Sequence, residues 1–286
     1  MRHRRRISES ALGRKLLEST GASSVNYAID SFVDTRLPLI DEHGRRSLAA
    51  CARYLRVDDV DYEEIAGDGY VVPKPNGSYS VTVSLDVHKV RQRFTIAHEL
   101  GHILLHDLEP STRSIAHRTV FTPPGHYVEE SLCDKIAASI LCPRSTIHEL
   151  WQGSRVTPSL IHQVADYFCV SKACAAIRLQ DVYGLSFGFG MISVGEGEAS
   201  FVRQYSRLGA NNLCGSVAKL DRVAASRLQA CWDTGLELSV MSWICSRFSK
   251  LRARLVCRAV HRSFSFECIA TANTKIDPIL VEGKTT

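Results

Sequence analysis

The stretch Phe94-Thr95-Ile96-Ala97-His98-Glu99-Leu100-Gly101-His102-Ile103-Leu104-Leu105-His106 decides how the rest of the chain is read. It contains no proline and sets Ile96, Leu100, Ile103 and Leu104 at helical spacing, which predicts one helix with an apolar stripe. His98 and His102 are four residues apart, so both imidazoles leave the same face, one turn apart. Two nitrogens so placed can share a Zn²⁺ at about 2.0–2.1 Å each. Glu99 follows the first histidine directly, where it can reach a water at the metal without being a ligand. This is the H-E-x-x-H arrangement of zinc hydrolases. The competing reading, histidines that only hydrogen-bond at a helix surface, has to be tested against the neighbouring sequence.

Two histidines need a further protein ligand, with one position left for water. A third histidine ten residues after the first is ruled out, because Leu108 stands there. A carboxylate from the next helix is the remaining source. The periodicity of Leu132, Ile136, Ala137 and Ile140 predicts that helix from about Val128 to Leu141, with Pro143 closing it. Glu129 and Glu130 open it, and Asp134 shares a face with Glu130. Glu130 is the expected third ligand, with Glu129 its rival by one position. Asp134 is placed to accept the outer N–H of a ligand histidine and so fix its tautomer. Without the histidine helix, these acids would read as a charged first turn favoured by the helix dipole.

The 286 residues allow one large domain or two modest ones, and 45% hydrophobic with 23% charged residues predicts a buried core. No apolar run approaches the roughly 20 residues of a membrane span. The basic start, Met1 to Arg6, has no apolar segment behind it, so no secretory signal is expected. Ten irregularly spaced cysteines without a C-x-x-C fit reduced, buried thiols in a cytoplasmic protein. The net charge of +5 comes from a basic start and a basic last third around an acidic middle. Such asymmetry is compatible with an acidic or nucleic-acid partner, and equally with plain solvated surface.

The pattern predicts an α+β protein in four parts. Residues 1–20 read as a basic flexible tail or a frayed helix. Residues 21–150 read as the metallopeptidase domain. Within it a helix is expected from about Ser47 to Arg56 and a second short one from Asp58 to Ala66. A small antiparallel sheet follows, made of 70–72 and 78–85 around the turn Pro73-Lys74-Pro75-Asn76-Gly77. Residues 107–128, with three prolines, read as a loop bordering the metal. Residues 151–182 form a short helical module, two helices about Cys169-Val170-Ser171, with an outline compatible with helix-turn-helix. Its second helix offers only Lys172 and Arg178 to nucleic acid, so DNA binding is not favoured. Residues 183–286 alternate strand-like runs with a helix over about 220–232, a mixed α+β accessory domain of unassigned role.

Three segments together resemble the ImmA/IrrE family of metallo-endopeptidases. They are Arg91 to His106, Glu130-Ser131-Leu132-Cys133-Asp134-Lys135-Ile136-Ala137-Ala138, and Ile140-Leu141-Cys142-Pro143. Cys142 stands where the family usually has Met, a small apolar exchange. The resemblance spans about residues 45–182 and implies a zincin-like fold, with one Zn²⁺ held by His98, His102 and Glu130 and with Glu99 as general base. It also implies a substrate class, helix-turn-helix transcriptional repressors, which nothing in composition or spacing shows. The expected chemistry is metal-assisted amide hydrolysis, with His117, His126 or Tyr127 as candidate donors to the oxyanion. The alternative from another class is a non-catalytic, zinc-containing, DNA-binding transcription regulator.

Overall fold

The computed structural model describes residues 7–37, 40–109, 126–195, 198–206, 215–245, 250–261 and 264–272. The chain divides into two compact units, residues 1–149 with 168–170, and residues 150–167 with 171–286. The fold is α+β. None of the described helices is long and apolar enough to cross a membrane, and the described cysteines are all free.

The first unit begins with α1 (Ala11–Thr20) and α2 (Val25–Arg36). The hydroxyl of Ser10 caps α1 by accepting from Gly13 N at 3.0 Å, and Leu16 is fully buried. Of the two readings of the first twenty residues, a flexible tail or a frayed helix, residues 11–20 take the helical one, with one apolar face packed. Helix α3 (Leu48–Tyr54) falls where periodicity placed it, capped by Ser47.

Strand β1 (Val57–Glu63) replaces the second short helix expected at 58–66. It pairs in parallel with β3 (Tyr79–Ser84), which pairs antiparallel with β2 (Gly69–Pro73), giving the order β1-β3-β2. The expected antiparallel pair, β2 with β3, is present, and the parallel addition of β1 makes the sheet mixed. Tertiary pairing overrides the local pattern: Asp58 accepts from Ser78 Oγ at 2.5 Å, and Asp59 meets Lys74 Nζ at 2.6 Å. Both partners come from the β2–β3 turn, where Gly77 takes the left-handed backbone (φ 78°) that the turn requires.

Helix α4 (Lys89–Leu108) packs on β2 and β3, whose Val71, Val81 and Val83 are buried. Gln92 Nε2 donates to Ser84 O at 3.0 Å, and Arg91 pairs with Asp68, which fixes the first turns of α4 against the sheet. Helix α5 (His126–Leu141) lies against both α4 and α2. Buried Asp30 of α2 accepts from Ser139 Oγ at 2.6 Å on α5, and from Arg144 Nε at 2.5 Å at the start of α6 (Arg144–Trp151). These bonds hold the α5 end of the unit rigidly, and α5 carries the acids of interest. Most of the 107–128 loop lies outside the described residues.

The second unit contains α7 (Pro158–Phe168) and α8 (Lys172–Tyr183), followed by β4 (Gly188–Gly195), β5 (Glu198–Ser206), β6 (Val217–Lys219), α9 (Arg222–Thr234), β7 (Leu238–Cys245), β8 (Lys250–His261) and β9 (Phe264–Ala272). The six strands close into an antiparallel barrel, each paired with the next and β9 with β4. Closure removes exposed sheet edges. Alternate residues fill the interior: Leu255 and Cys257 on β8, and Phe266, Cys268 and Ala270 on β9. Leu228 and Cys231 of α9 join the same core.

On β9 the intervening Glu267 is buried and holds two helices at once. It meets His162 Nε2 of α7 at 2.5 Å and Lys172 Nζ of α8 at 2.6 Å. Glu267 thereby ties His162 of α7 and Lys172 of α8 to the barrel within the second unit.

Candidate metal centre

The site forms where α4 and α5 come closest. A Cβ added to Gly101 would lie 3.3 Å from the Cα and carbonyl oxygen of Cys133 and 3.4 Å from Ile136 Cγ2. Any larger side chain at 101 would push the helices apart. Within this close approach, the histidines of α4 face three carboxylates of α5.

His98 Nε2 and His102 Nε2 are 3.1 Å apart. Glu130 sits across both, with Oε2 3.3 Å from His98 Nε2 and Oε1 3.4 Å from His102 Nε2. Donors on a tetrahedral ion at about 2.05 Å lie about 3.3 Å from one another; the two Nε2 atoms are separated by close to that distance, and Glu130 presents one carboxylate oxygen to each of them. On the outer nitrogens, His98 Nδ1 is 3.0 Å from Asp134 Oδ1, and His102 Nδ1 is 3.3 Å from Glu129 Oε1. Each ring is thereby oriented with Nε2 turned inward. The structure separates the two rival acids: Glu130 faces the Nε2 pair and Glu129 stands behind His102.

Glu99 is buried, 2% exposed, beside the start of β2. A Cβ on Gly69 would lie 2.4 Å from Thr95 Cγ2, 2.8 Å from Thr82 O and 3.7 Å from Glu99 Oε1. Only glycine lets β2 pass so close to this helix face. Neither Gly69 nor Cys133 carries a functional signal in the sequence by itself. Gly101, a small residue between the two histidines, was the one available signal of close helix packing.

His98, His102 and Cys133 also form a group whose donor atoms lie within 4.8 Å of one another. Cys133 Sγ, however, is 3.3 Å from His102 Nδ1, the nitrogen turned away from the His98–Glu130 side. Its thiol is pushed well above the usual cysteine range by burial, and the charges of Glu130, Glu129, Glu99 and Asp134 add to this. A protonated thiol is a poor ligand. Glu130 faces both Nε2 atoms, whereas Cys133 lies beside Nδ1 of His102.

Burial works against a charge on His98, but hydrogen bonds to Asp134 and Glu130 and the charge of Glu99 outweigh it and raise its pKa to about 9. The surrounding acids demand a cation, and in the metal-free protein a proton supplies it. A charged His98 therefore favours the metal-free fold below its ordinary 6.5, and that contribution disappears as pH rises through about 9. Metal must displace the same proton. Calorimetric titration with a divalent ion in buffers of different ionisation heat is expected to show about one proton released from this group near pH 7, with affinity rising up to about tenfold per pH unit until about pH 9. Affinity independent of pH over that range would contradict the assignment.

Of the remaining residues expected at the site, His117 and the side chain of His126 lie outside the described residues. Tyr127 is 57% exposed in the first turn of α5, three residues before Glu130.

A sheet backed by a helix bearing two histidines, with an acidic second helix facing them, defines a zincin-like peptidase domain. Residues 54–180 match the Peptidase_M78 family, the IrrE N-terminal-like domain, which supports the resemblance to the ImmA/IrrE family for that part of the chain. No curated protein matches the chain. A solved structure described as a "Mycobacterium tuberculosis transcriptional regulator" is 12% identical, with a TM-score of 0.43 over 93% of this chain and 94% of that one.

Proposed function

We propose that the protein is a zinc-dependent endopeptidase. The observation that supports this best is the convergence of His98 Nε2, His102 Nε2 and the Glu130 carboxylate at 3.1–3.4 Å, with Glu99 buried beside them on the next position of the helix. A bound Zn²⁺ would supply Lewis-acid chemistry, acidifying a water and polarising the scissile carbonyl. Glu99 takes the proton of the attacking water and delivers it to the leaving nitrogen. Asp134 and Glu129 keep the two imidazoles in the tautomer that leaves Nε2 free to bind. Tyr127, on the same helical face as Glu130, is the candidate donor to the oxyanion.

A peptide substrate suits the surroundings. Strand β2 lies at the edge of its sheet, and its first residue, Gly69, adjoins Glu99. An extended peptide can add to such an edge through main-chain bonds, which would bring its carbonyls past the general base. The substrate class we propose, helix-turn-helix transcriptional repressors in the cytoplasm, rests on the family resemblance. The direct trial is to incubate zinc-loaded protein with a panel of purified repressors and locate cuts by mass spectrometry. Zinc-dependent fragments from at least one member are expected; uniformly intact repressors would set this substrate class aside.

The reading as a DNA-binding regulator finds less support. Of the two basic residues on α8, Arg178 is buried and Lys172 is engaged by Glu267. Neither is presented to a phosphate backbone.

A further inference from the structure

A second site lies on the first unit, away from the metal face of α4. The end of α2, the end of α3, the β2–β3 turn and the last turns of α4 enclose a cleft of about 300 Å³. This is at the lower end of the range for small-molecule pockets, about 300–1,000 Å³. Leu55, Ile103 and Leu104 are buried and line it with apolar surface, while the other lining groups are polar or aromatic.

Two guanidinium groups, Arg36 and Arg56, border the cleft against one carboxylate, Asp107. Arg46, Arg91 and Arg144 of the same unit each meet a carboxylate. Among the described residues Arg36 and Arg56 meet none. Both side chains are exposed; Arg36 has an aromatic contact, and the backbone of Arg56 is fixed. Arg36 lies 5.5 Å from the centre of the Phe32 ring. Arg56 has the left-handed backbone, φ 58°, its N–H donating to Arg53 O at 3.1 Å and its carbonyl accepting from Tyr79 N at 2.9 Å. Tyr54 is 57% exposed and, with Tyr79, offers aromatic walls.

We propose that this cleft binds a small planar anion, an aromatic carboxylate or a nucleoside monophosphate, as an effector. Paired arginines recognise a carboxylate or phosphate through forked hydrogen bonds, and the tyrosines with the apolar floor take the flat body. At about 100° per residue, Ile103, Leu104 and Asp107 leave α4 on the side opposite His98 and His102. A ligand held there does not meet the reacting centre, so the role proposed for it is that of an effector and not of a substrate. Occupancy would brace the metal-bearing helix from behind.

The test is calorimetric titration of the full chain, and since it reads binding directly it is independent of peptidase activity. The probes are 4-hydroxybenzoate and AMP, with 4-hydroxybenzamide and adenosine as their uncharged counterparts. At least one anion is expected to bind saturably and about tenfold or more tightly than its counterpart, and which anion does so separates the two ligand sources. Arg36→Ala and Arg56→Gly should each weaken it about tenfold or more, the loss expected for a hydrogen bond to a charged group. Glycine at 56 preserves the left-handed backbone, so that variant keeps its fold. Anions that bind no better than their uncharged counterparts, or binding that both variants leave intact, would overturn the proposal.

Discussion

Glu99→Gln is expected to lower peptide-bond hydrolysis by about 10²–10⁴-fold while leaving the metal content of the protein unchanged. The two side chains have the same shape, so the buried space beside Gly69 and Thr95 stays filled. An amide cannot accept the proton that a carboxylate takes, so the loss falls on the chemical step. Metal analysis and thermal melting of the variant should match those of the parent. If the variant cleaves as fast as the parent, Glu99 is not the base, and a structural metal site becomes the better account.

Glu130→Ala is expected to lower metal affinity by more than about 100-fold, beyond the roughly 10–100-fold loss typical of groups that only orient a ligand. Asp134→Asn and Glu129→Gln should fall within that lower range, since each touches a histidine only at Nδ1. Cys133→Ser should change affinity by less than about tenfold, because the sulfur lies behind His102 and its thiol stays protonated. Competition titrations with a chromophoric chelator give all four values on one scale. The ranking matters more than any single number. A Cys133→Ser loss as large as that of Glu130→Ala would move the third ligand from α5's first turns to the buried thiol.

The parts of this protein legible in its sequence are those written in local periodicity. The helix bearing His98 and His102, the helix bearing Glu130, the turn at Asn76-Gly77 and the helix after Asp221 all carry their own local pattern. Strand β1 was misread because three of its residues are aspartates and its pairing partner, β3, is some twenty residues away in the chain. Residues 11–20 are helical, and the single apolar face that buries Leu16 is too short a pattern to separate a packed helix from a frayed one in sequence.

At the site, spacing placed both histidines and Glu99 on one helix, but it could not say which of two adjacent glutamates turns inward. That depends on how α5 is rotated against α4, which the contact at Gly101 helps to set. The barrel was visible only as separate strands. Its closure depends on β4 meeting β9, a pairing between residues about eighty positions apart that no local pattern encodes.

X-ray absorption at the zinc edge of the purified, full-length protein tests the central claim most directly. The account predicts one zinc per chain with two imidazole nitrogens at about 2.0–2.1 Å, oxygen in the remaining positions and no sulfur in the first shell. A scatterer at about 2.3 Å, the distance of a thiolate, or a protein that takes up no zinc, would contradict it.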